Sequence, residues 1–231
     1  RLVYQPRFDA DEIVRLIARE RIISLSLVGD AMARPLADAL ERNAAAAEPL
    51  DCSSLFVIGS AGAIFSEPVK DKLGKLLPKC SMLDSYGSTE TGFQGRGGAG
   101  HKSFGQGLVF QMNERTVVLD DELRPVRPGS GVLGRVALRG HVPLGYYGDP
   151  SKSAETFVTL DGVRHSITGD VAEVAADGRI KLYGRGAVCI NSGGEKIFAE
   201  EVENALKAHP AVYDAIVVGV DDERWGQRGI G

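Results

Sequence analysis

The first hundred residues alternate between helix-type and strand-type hydrophobic patterns. Apolar side chains recur at helical spacing after the capping pair Asp9 and Glu12, which predicts a helix from about Asp9 to Arg21. The same reasoning predicts strands over 22–28, 55–58 and 81–84, and helices over 32–40 and 66–77. Pro35 and Pro68 are expected in first turns, Ser66 is expected to cap its helix, and the last strand should deliver 86–90 into a loop. This β/α alternation predicts an α/β sheet, whose ligands lie at the carboxyl ends of the strands.

Beyond residue 106 the pattern changes to short aliphatic and β-branched runs separated by Gly, Pro and Asp. Runs over 108–110, 116–119 and 132–138 predict a distorted, barrel-like antiparallel region, and Asp177-Gly178 predicts a tight hairpin turn. After 184, a strand over 188–190, a helix over 199–208 and a strand over 215–220 predict the start of a small α+β domain. The predicted parts are therefore an α/β subdomain (1–106), a β-rich subdomain (107–184) and this α+β start (185–231).

Charge and composition exclude several classes of protein. The net charge is −4, with 27 basic and 31 acidic residues and no basic, aromatic-rich stretch, which argues against a nucleic-acid partner. The apolar runs are too short to cross a bilayer. The three cysteines and four histidines are scattered without metal-ligand spacing, which favours a reducing cytoplasm. The first residues lack a signal-peptide pattern. Because the first residue is Arg1 and not Met, we expect a fragment of a longer protein.

One string carries candidate nucleotide chemistry. It runs from Asp84 to Gly92 and reads DSYGSTETG. The aromatic ring of Tyr86 can stack on a purine, the Thr89 hydroxyl can bond a phosphate oxygen, and Glu90 can hold Mg²⁺ through a hard oxygen. Taken alone, such a string is more typical of a capped turn.

Three further strings follow in order: Thr168-Gly169-Asp170, Tyr183-Gly184-Arg185 and Gly193-Gly194-Glu195-Lys196. Together with the first string, their order and spacing resemble the adenylate-forming superfamily, which includes acyl-CoA synthetases, firefly luciferase and the adenylation domains of peptide synthetases. The resemblance implies the later part of a nucleotide-binding N-terminal domain followed by the start of a mobile C-terminal lid. It also implies ATP-dependent acyl-CoA synthesis through an acyl-adenylate.

The resemblance assigns roles to individual residues. Thr89 and Glu90 are expected to be catalytic, with Glu90 as the Mg²⁺ ligand. Tyr86 should stack on adenine, Asp170 should accept the ribose hydroxyls, and Arg185 should reach the ribose after lid closure. The loop from Ser60 should lie along the adenine, and the glycine pair at 193 should line the pantetheine tunnel. The residues expected to bind the cofactor are Ser60, Ala61, Gly62, Ala63, Asp84, Tyr86, Gly87, Ser88, Asp170, Arg185, Gly193 and Gly194.

Some positions depart from the family pattern. Ala187 replaces the usual hinge aspartate and Asn191 a usual lysine, whereas the surrounding 188–196 string resembles bacterial fatty-acyl or steroid side-chain CoA synthetases. The family's phosphate loop and catalytic lysine are not found in this stretch, so it is not expected to catalyse adenylation unaided. The glycine-rich string 95–100 is expected to be a mobile loop, since it lacks the setting of a phosphate cradle.

The expected partners are a carboxylic acid, ATP and CoA. Peripheral membrane contact and the oligomeric state are left open. One alternative is an acyl-AMP ligase that loads a carrier protein, and another is a non-catalytic nucleotide-binding homologue. Glu200, Glu201 and Glu203 are expected to be the solvated first turn of a helix without a catalytic role, and Trp225 a packing anchor.

Overall fold

The structure is a computed structural model and describes residues 1–98, 108–186, 189–209 and 211–231. These residues form two compact units. The first contains Arg1–Asp84 together with Gly98, and the second contains Ser85–Gly97 and the described residues from 108 onwards. No helix in the described ranges is both long and apolar enough to cross a membrane.

The first unit is built from alternating helices and parallel strands. Its elements are α1 (Ala10–Glu20), β1 (Ser24–Leu27), α2 (Gly29–Ala44), β2 (Val57–Ala61), α3 (Glu67–Leu76) and the first half of β3 (Ser81–Ser88). β1 and β2 pair in parallel, from Ser24 opposite Val57 to Leu27 opposite Ser60. The helices bury their apolar faces in one core with the strands, which includes Ile17, Leu36, Ile58, Phe65 and Leu73. The predicted β/α alternation is confirmed.

Helix α1 follows from local sequence signals. The Asp9 side chain accepts a hydrogen bond from the Glu12 N–H at 2.9 Å, and such a cap stabilises a helix by about 1 kcal/mol. The helix ends where Arg21 adopts a left-handed conformation with φ of 52°. Its buried face consists of Ile13, Val14 and Ile17. The predicted helix is confirmed to within a residue at each end.

Two details predicted near α2 and α3 are wrong. Helix α2 begins at Gly29 rather than Met32, so Pro35 lies inside it rather than in its first turn. The Ser66 side chain makes no capping bond to α3. It instead donates a 2.6 Å hydrogen bond to Oδ2 of the buried Asp30, whose Oδ1 accepts the Ser66 N–H at 2.9 Å. The Ser66 hydroxyl therefore bonds a residue 36 positions away in the sequence instead of capping its own helix.

The second unit contains two sheets. Its elements are the second half of β3, β4 (Gly92–Gly98), β5 (Leu108–Met112), β6 (Thr116–Leu119), β7 (Gly134–Arg139), α4 (Pro150–Thr156), β8 (Phe157–Leu160), β9 (Val163–Val174), β10 (Ile180–Arg185), β11 (Cys189–Ser192), β12 (Glu195–Phe198), α5 (Ala199–Lys207), β13 (Val218–Asp222) and β14 (Gly226–Ile230). Within this unit, the strands of the larger sheet follow the order β3-β4-β5-β10-β9-β7-β6, with β8 pairing on β9. The smaller sheet has the order β12-β11-β14-β13.

The predicted antiparallel region is confirmed, but the described strands form an open sheet rather than a closed barrel. The hairpin around Asp177-Gly178 joins β9 to β10, with the Ala175 N–H donating to the Arg179 carbonyl at 2.8 Å. The expected loop at 95–100 is wrong for 95–98, which belong to β4, while 99–100 lie outside the described residues. A Cβ at Gly95 would lie 2.6 Å from the carbonyl oxygen of Gln111, so the glycine permits close strand pairing.

The glutamates at the start of α5 are less solvated than expected. Oε1 of Glu203 accepts the Val217 N–H at 2.9 Å, which holds the chain just before β13. The Glu200 carboxylate packs over Gly184, with Oε1 3.0 Å from the position of an added Cβ there. Burial raises the pKa of Glu200, and the negative charges of Glu203 and Asp170 raise it further. Because α5 packs on β10, these carboxylates face protein as well as water.

Candidate nucleotide site

The turn after β3 presents the first candidate residues. Tyr86, Gly87 and Ser88 belong to β3 and not to the predicted loop, which is confined to 89–91. The Thr91 hydroxyl accepts the Ser88 N–H at 3.0 Å and donates to the Gly92 carbonyl at 3.1 Å, which closes the turn. A Cβ at Gly87 would lie only 2.1 Å from that carbonyl oxygen, so this position requires glycine. Thr89 and Glu90 are consequently displayed at the tip of a tight turn.

Tyr86 and Asp170 meet directly. The Tyr86 hydroxyl donates to Oδ2 of Asp170 at 2.6 Å, and the Thr168 hydroxyl donates to the same oxygen at 3.1 Å. The Tyr86 ring packs against Phe110 with 5.5 Å between ring centroids. Burial raises the pKa of Tyr86, and the adjacent Asp170 raises it further, so the phenol remains a proton donor. The aspartate is therefore held through one oxygen by two hydroxyl groups.

Arg185 approaches the other oxygen of Asp170. Asp170 and Arg185 stand opposite each other in the β9–β10 pairing, and the Arg185 Nε lies 3.6 Å from Oδ1. That separation indicates an ion pair rather than a hydrogen bond. The Arg185 side chain is 70% exposed. Oδ1 of Asp170 therefore keeps hydrogen-bonding capacity for a ligand, next to an exposed cation.

Glu90 has a partner that sequence reasoning missed. The Tyr146 hydroxyl donates to Oε1 of Glu90 at 2.7 Å, across 56 residues. This bond is the main cause that lowers the pKa of Glu90, with smaller contributions from Ser88 and Arg185. No sequence signal connects the segment containing Tyr146 with Glu90.

Some predicted site residues lie in the first unit. The Ser60 hydroxyl is buried and accepts the Gly29 N–H at 2.8 Å, at the end of β2 that continues into Ala61, Gly62 and Ala63. Asp84 is buried and forms a 2.7 Å ion pair with Lys70. Burial raises the pKa of Asp84 and Lys70 opposes that rise. The adenine-binding roles of these residues stay predictions.

The glycine pair at 193–194 forms the turn between β11 and β12. The Gly193 N–H donates to the Trp225 carbonyl at 2.8 Å, so the turn is joined to the segment before β14. The Trp225 ring is 47% exposed and lies 4.6 Å from the Arg224 guanidinium. The predicted pantetheine contact of Gly193 and Gly194 stays a prediction, and Ala187 of the expected hinge lies outside the described residues.

Comparison with known families agrees with this arrangement. The AMP-binding enzyme model matches residues 1–147, and the model of the AMP-binding enzyme C-terminal domain matches residues 201–231. The chain belongs to the AMP-binding enzyme family.

Two relatives of this AMP-binding enzyme are named as CoA ligases. It is 52% identical over 227 residues to a medium/long-chain-fatty-acid–CoA/3-oxocholest-4-en-26-oate–CoA ligase from Mycobacterium marinum, a match that covers 97% of this chain and 40% of that protein. It is 49% identical over 230 residues to a 3-oxocholest-4-en-26-oate–CoA ligase from Rhodococcus rhodochrous, covering 99% and 41%. The chain thus spans about two fifths of the length of these relatives.

A solved structure shares the fold of this AMP-binding enzyme. It is the anthranilate CoA ligase AuaEII in complex with anthranoyl-AMP, with a TM-score of 0.77 and 25% identity, and the match covers 95% of this chain and 40% of that one.

Proposed function

We propose that this AMP-binding enzyme is part of an ATP-dependent acyl-CoA synthetase, an acid–thiol ligase that forms an acyl-adenylate and then a CoA thioester. The observation that carries the proposal is the hydrogen bond from Tyr86 to Asp170, beside Arg185. It brings together an aromatic ring, a carboxylate and a cation, which are the groups that recognise the base, the sugar hydroxyls and the charge of AMP.

Each polar group at this site has a proposed part in binding the nucleotide. Oδ1 of Asp170 accepts the ribose hydroxyls, because its Oδ2 is already used by Tyr86 and Thr168. Arg185 is exposed enough to swing onto the ribose. Thr89, exposed at the tip of the turn, donates to a phosphate oxygen. Ser60, Ala61, Gly62, Ala63, Asp84, Gly87 and Ser88 complete the proposed nucleotide-binding set.

Glu90 fits the requirements of a Mg²⁺ ligand. Mg²⁺ typically takes one or two protein carboxylates and completes its shell with phosphate oxygens and water. Glu90 offers one ionised carboxylate, and the described residues contain no group of three or more His, Cys, Asp or Glu side chains that could hold a metal by themselves. When bound, Mg²⁺ screens the repulsion between the substrate carboxylate and the phosphates.

The proposed chemistry has two half-reactions. The substrate carboxylate attacks the α-phosphorus of ATP, the bond from that phosphorus to the bridging oxygen breaks, and pyrophosphate leaves. The thiol of CoA then attacks the acyl carbon, loses its proton, and AMP leaves with the electron pair of the broken C–O bond. We propose that Gly193 and Gly194 line the path of the pantetheine, and that the boundary near residue 184 allows a lid to exchange groups between the two steps.

The relatives support a long, apolar acid as the substrate. Those at about half identity are named for medium and long-chain fatty acids and for 3-oxocholest-4-en-26-oate. We therefore propose a fatty-acid or steroid side-chain acid, with ATP and CoA as co-substrates, acting in the cytoplasm. We also propose that the chain divides into the three parts predicted from its sequence, with boundaries after residues 106 and 184.

The test uses the intact protein that contains this chain. CoA-dependent AMP release is measured with carboxylic acids of graded length and with 3-oxocholest-4-en-26-oate. The expected result is turnover with at least one of these acids, together with a loss of pyrophosphate release on the order of 100-fold or more in Glu90→Gln.

Either of two other outcomes would contradict this proposal and support a different function. Pyrophosphate release without thioester formation, followed by acyl transfer to a carrier protein, would make the protein an acyl-AMP ligase. AMP binding with no pyrophosphate release would make it a non-catalytic homologue, which the departures at Ala187 and Asn191 would then explain.

A further inference from the structure

Tyr146 contacts the proposed metal ligand, Glu90, but has no part in the proposed function. We propose that Tyr146 is a positioning residue for adenylation, whose hydroxyl orients the Glu90 carboxylate toward the metal. The inference rests on the proposed function of Glu90. The Tyr146 oxygen lies 2.7 Å from Oε1 of Glu90, so the hydroxyl holds the carboxylate through this oxygen. A carboxylate fixed through one oxygen has fewer orientations to lose when the other oxygen binds a cation.

Tyr146 is itself held firmly by its neighbours. Its ring packs against Phe157 with 5.3 Å between centroids, and the Lys152 Nζ lies 5.0 Å from its ring centroid. Its backbone N–H donates to the Ser153 hydroxyl oxygen at 2.7 Å, and that hydroxyl donates to the Asp149 carbonyl at 2.6 Å. Three kinds of contact therefore fix the phenol before any ligand arrives.

The chain offers a matched control at the next position. Tyr147 is fully exposed, whereas Tyr146 is partly buried against Phe157. Both Tyr→Phe changes remove one hydroxyl and keep the ring, so only Tyr146→Phe should affect Glu90. Ser153→Ala provides a second route, because it loosens the Tyr146 backbone and should produce a smaller change of the same sign.

The first measurement needs neither metal nor catalysis. Carbon NMR of the glutamate side-chain carboxyls in this chain at one fixed, neutral pH, with Glu90 assigned by its missing signal in Glu90→Gln, reports on the hydrogen bond that the Glu90 carboxylate accepts. We expect the Glu90 carboxyl signal to shift in Tyr146→Phe and to stay in place in Tyr147→Phe. An unchanged Glu90 signal in a folded Tyr146→Phe chain overturns the proposal.

The second measurement is ATP–pyrophosphate exchange by the intact protein as a function of Mg²⁺. Tyr146→Phe should need on the order of tenfold more Mg²⁺ for half-maximal exchange. Tyr147→Phe should match the wild type. A shifted Glu90 carboxyl signal with unchanged Mg²⁺ dependence overturns the positioning role. An absence of exchange in the wild type refutes the proposed function instead, while the NMR result still reports on the Tyr146–Glu90 pair.

Discussion

The hydroxyl of Tyr86 lies 2.6 Å from Oδ2 of Asp170 and joins β3 to β9 across 84 positions of sequence. Two strings that are each weak signals of nucleotide binding are thereby combined into one site. Because Tyr86 and Thr168 both donate to Oδ2, the aspartate has a defined orientation and its Oδ1 faces Arg185.

Asp170→Asn should weaken AMP binding by the intact protein by about 10- to 100-fold. The physical reason is the loss of a charged acceptor for the ribose hydroxyls, which is worth about 1.5–3 kcal/mol. Titration calorimetry with AMP and with 2′-deoxy-AMP provides the measurement, and the wild type should prefer AMP. Asp177→Asn is the control, since that aspartate lies in the β9–β10 turn and bonds Arg179. Equal AMP affinity in Asp170→Asn and wild type would remove Asp170 from the site.

Asp30→Ala should lower the free energy of unfolding by about 3 kcal/mol. The change leaves the Ser66 N–H and hydroxyl without the acceptor that they share inside the protein. Chemical denaturation of this chain measures the loss. Asp38→Ala serves as the control, because its ion pair with Lys72 is only half-buried and should contribute less than about 1 kcal/mol. If the two substitutions lowered the free energy of unfolding equally, the Asp30 contacts would contribute no more stability than the Asp38 ion pair, and the prediction would be wrong.

Cys80 should react slowly with iodoacetamide at pH 8. Burial raises the pKa of its thiol to about 11, so little thiolate is present until the pH approaches that value. Since the remaining thiolate is also somewhat more nucleophilic, the expected rate is roughly tenfold below that of the same cysteine in the denatured chain. Peptide mass spectrometry over a pH series measures both rates. A rate in the folded chain that equals the denatured one at pH 8 would show that the thiol is not protected.

The sequence by itself determined those features whose causes lie within a few residues. The Asp9 cap and the apolar face of α1 predict that helix, and the Asp177-Gly178 pair marks the hairpin between β9 and β10. The four ordered strings indicated the family, because each preserves local residue types at fixed spacing. Such features can be predicted from one sequence, because the formation of a turn or a helix cap depends mainly on the residues within it.

Only the tertiary structure decided which polar groups meet. Asp30 takes the Ser66 hydroxyl that was expected to cap α3, and Tyr146 holds Glu90 from a segment with no chemical signal of its own. Tyr86 to Ser88 also remain in β3 instead of entering a loop, because β3 continues to pair with β4. Partners separated by 36 to 84 residues are chosen by strand pairing and packing, which no local pattern records.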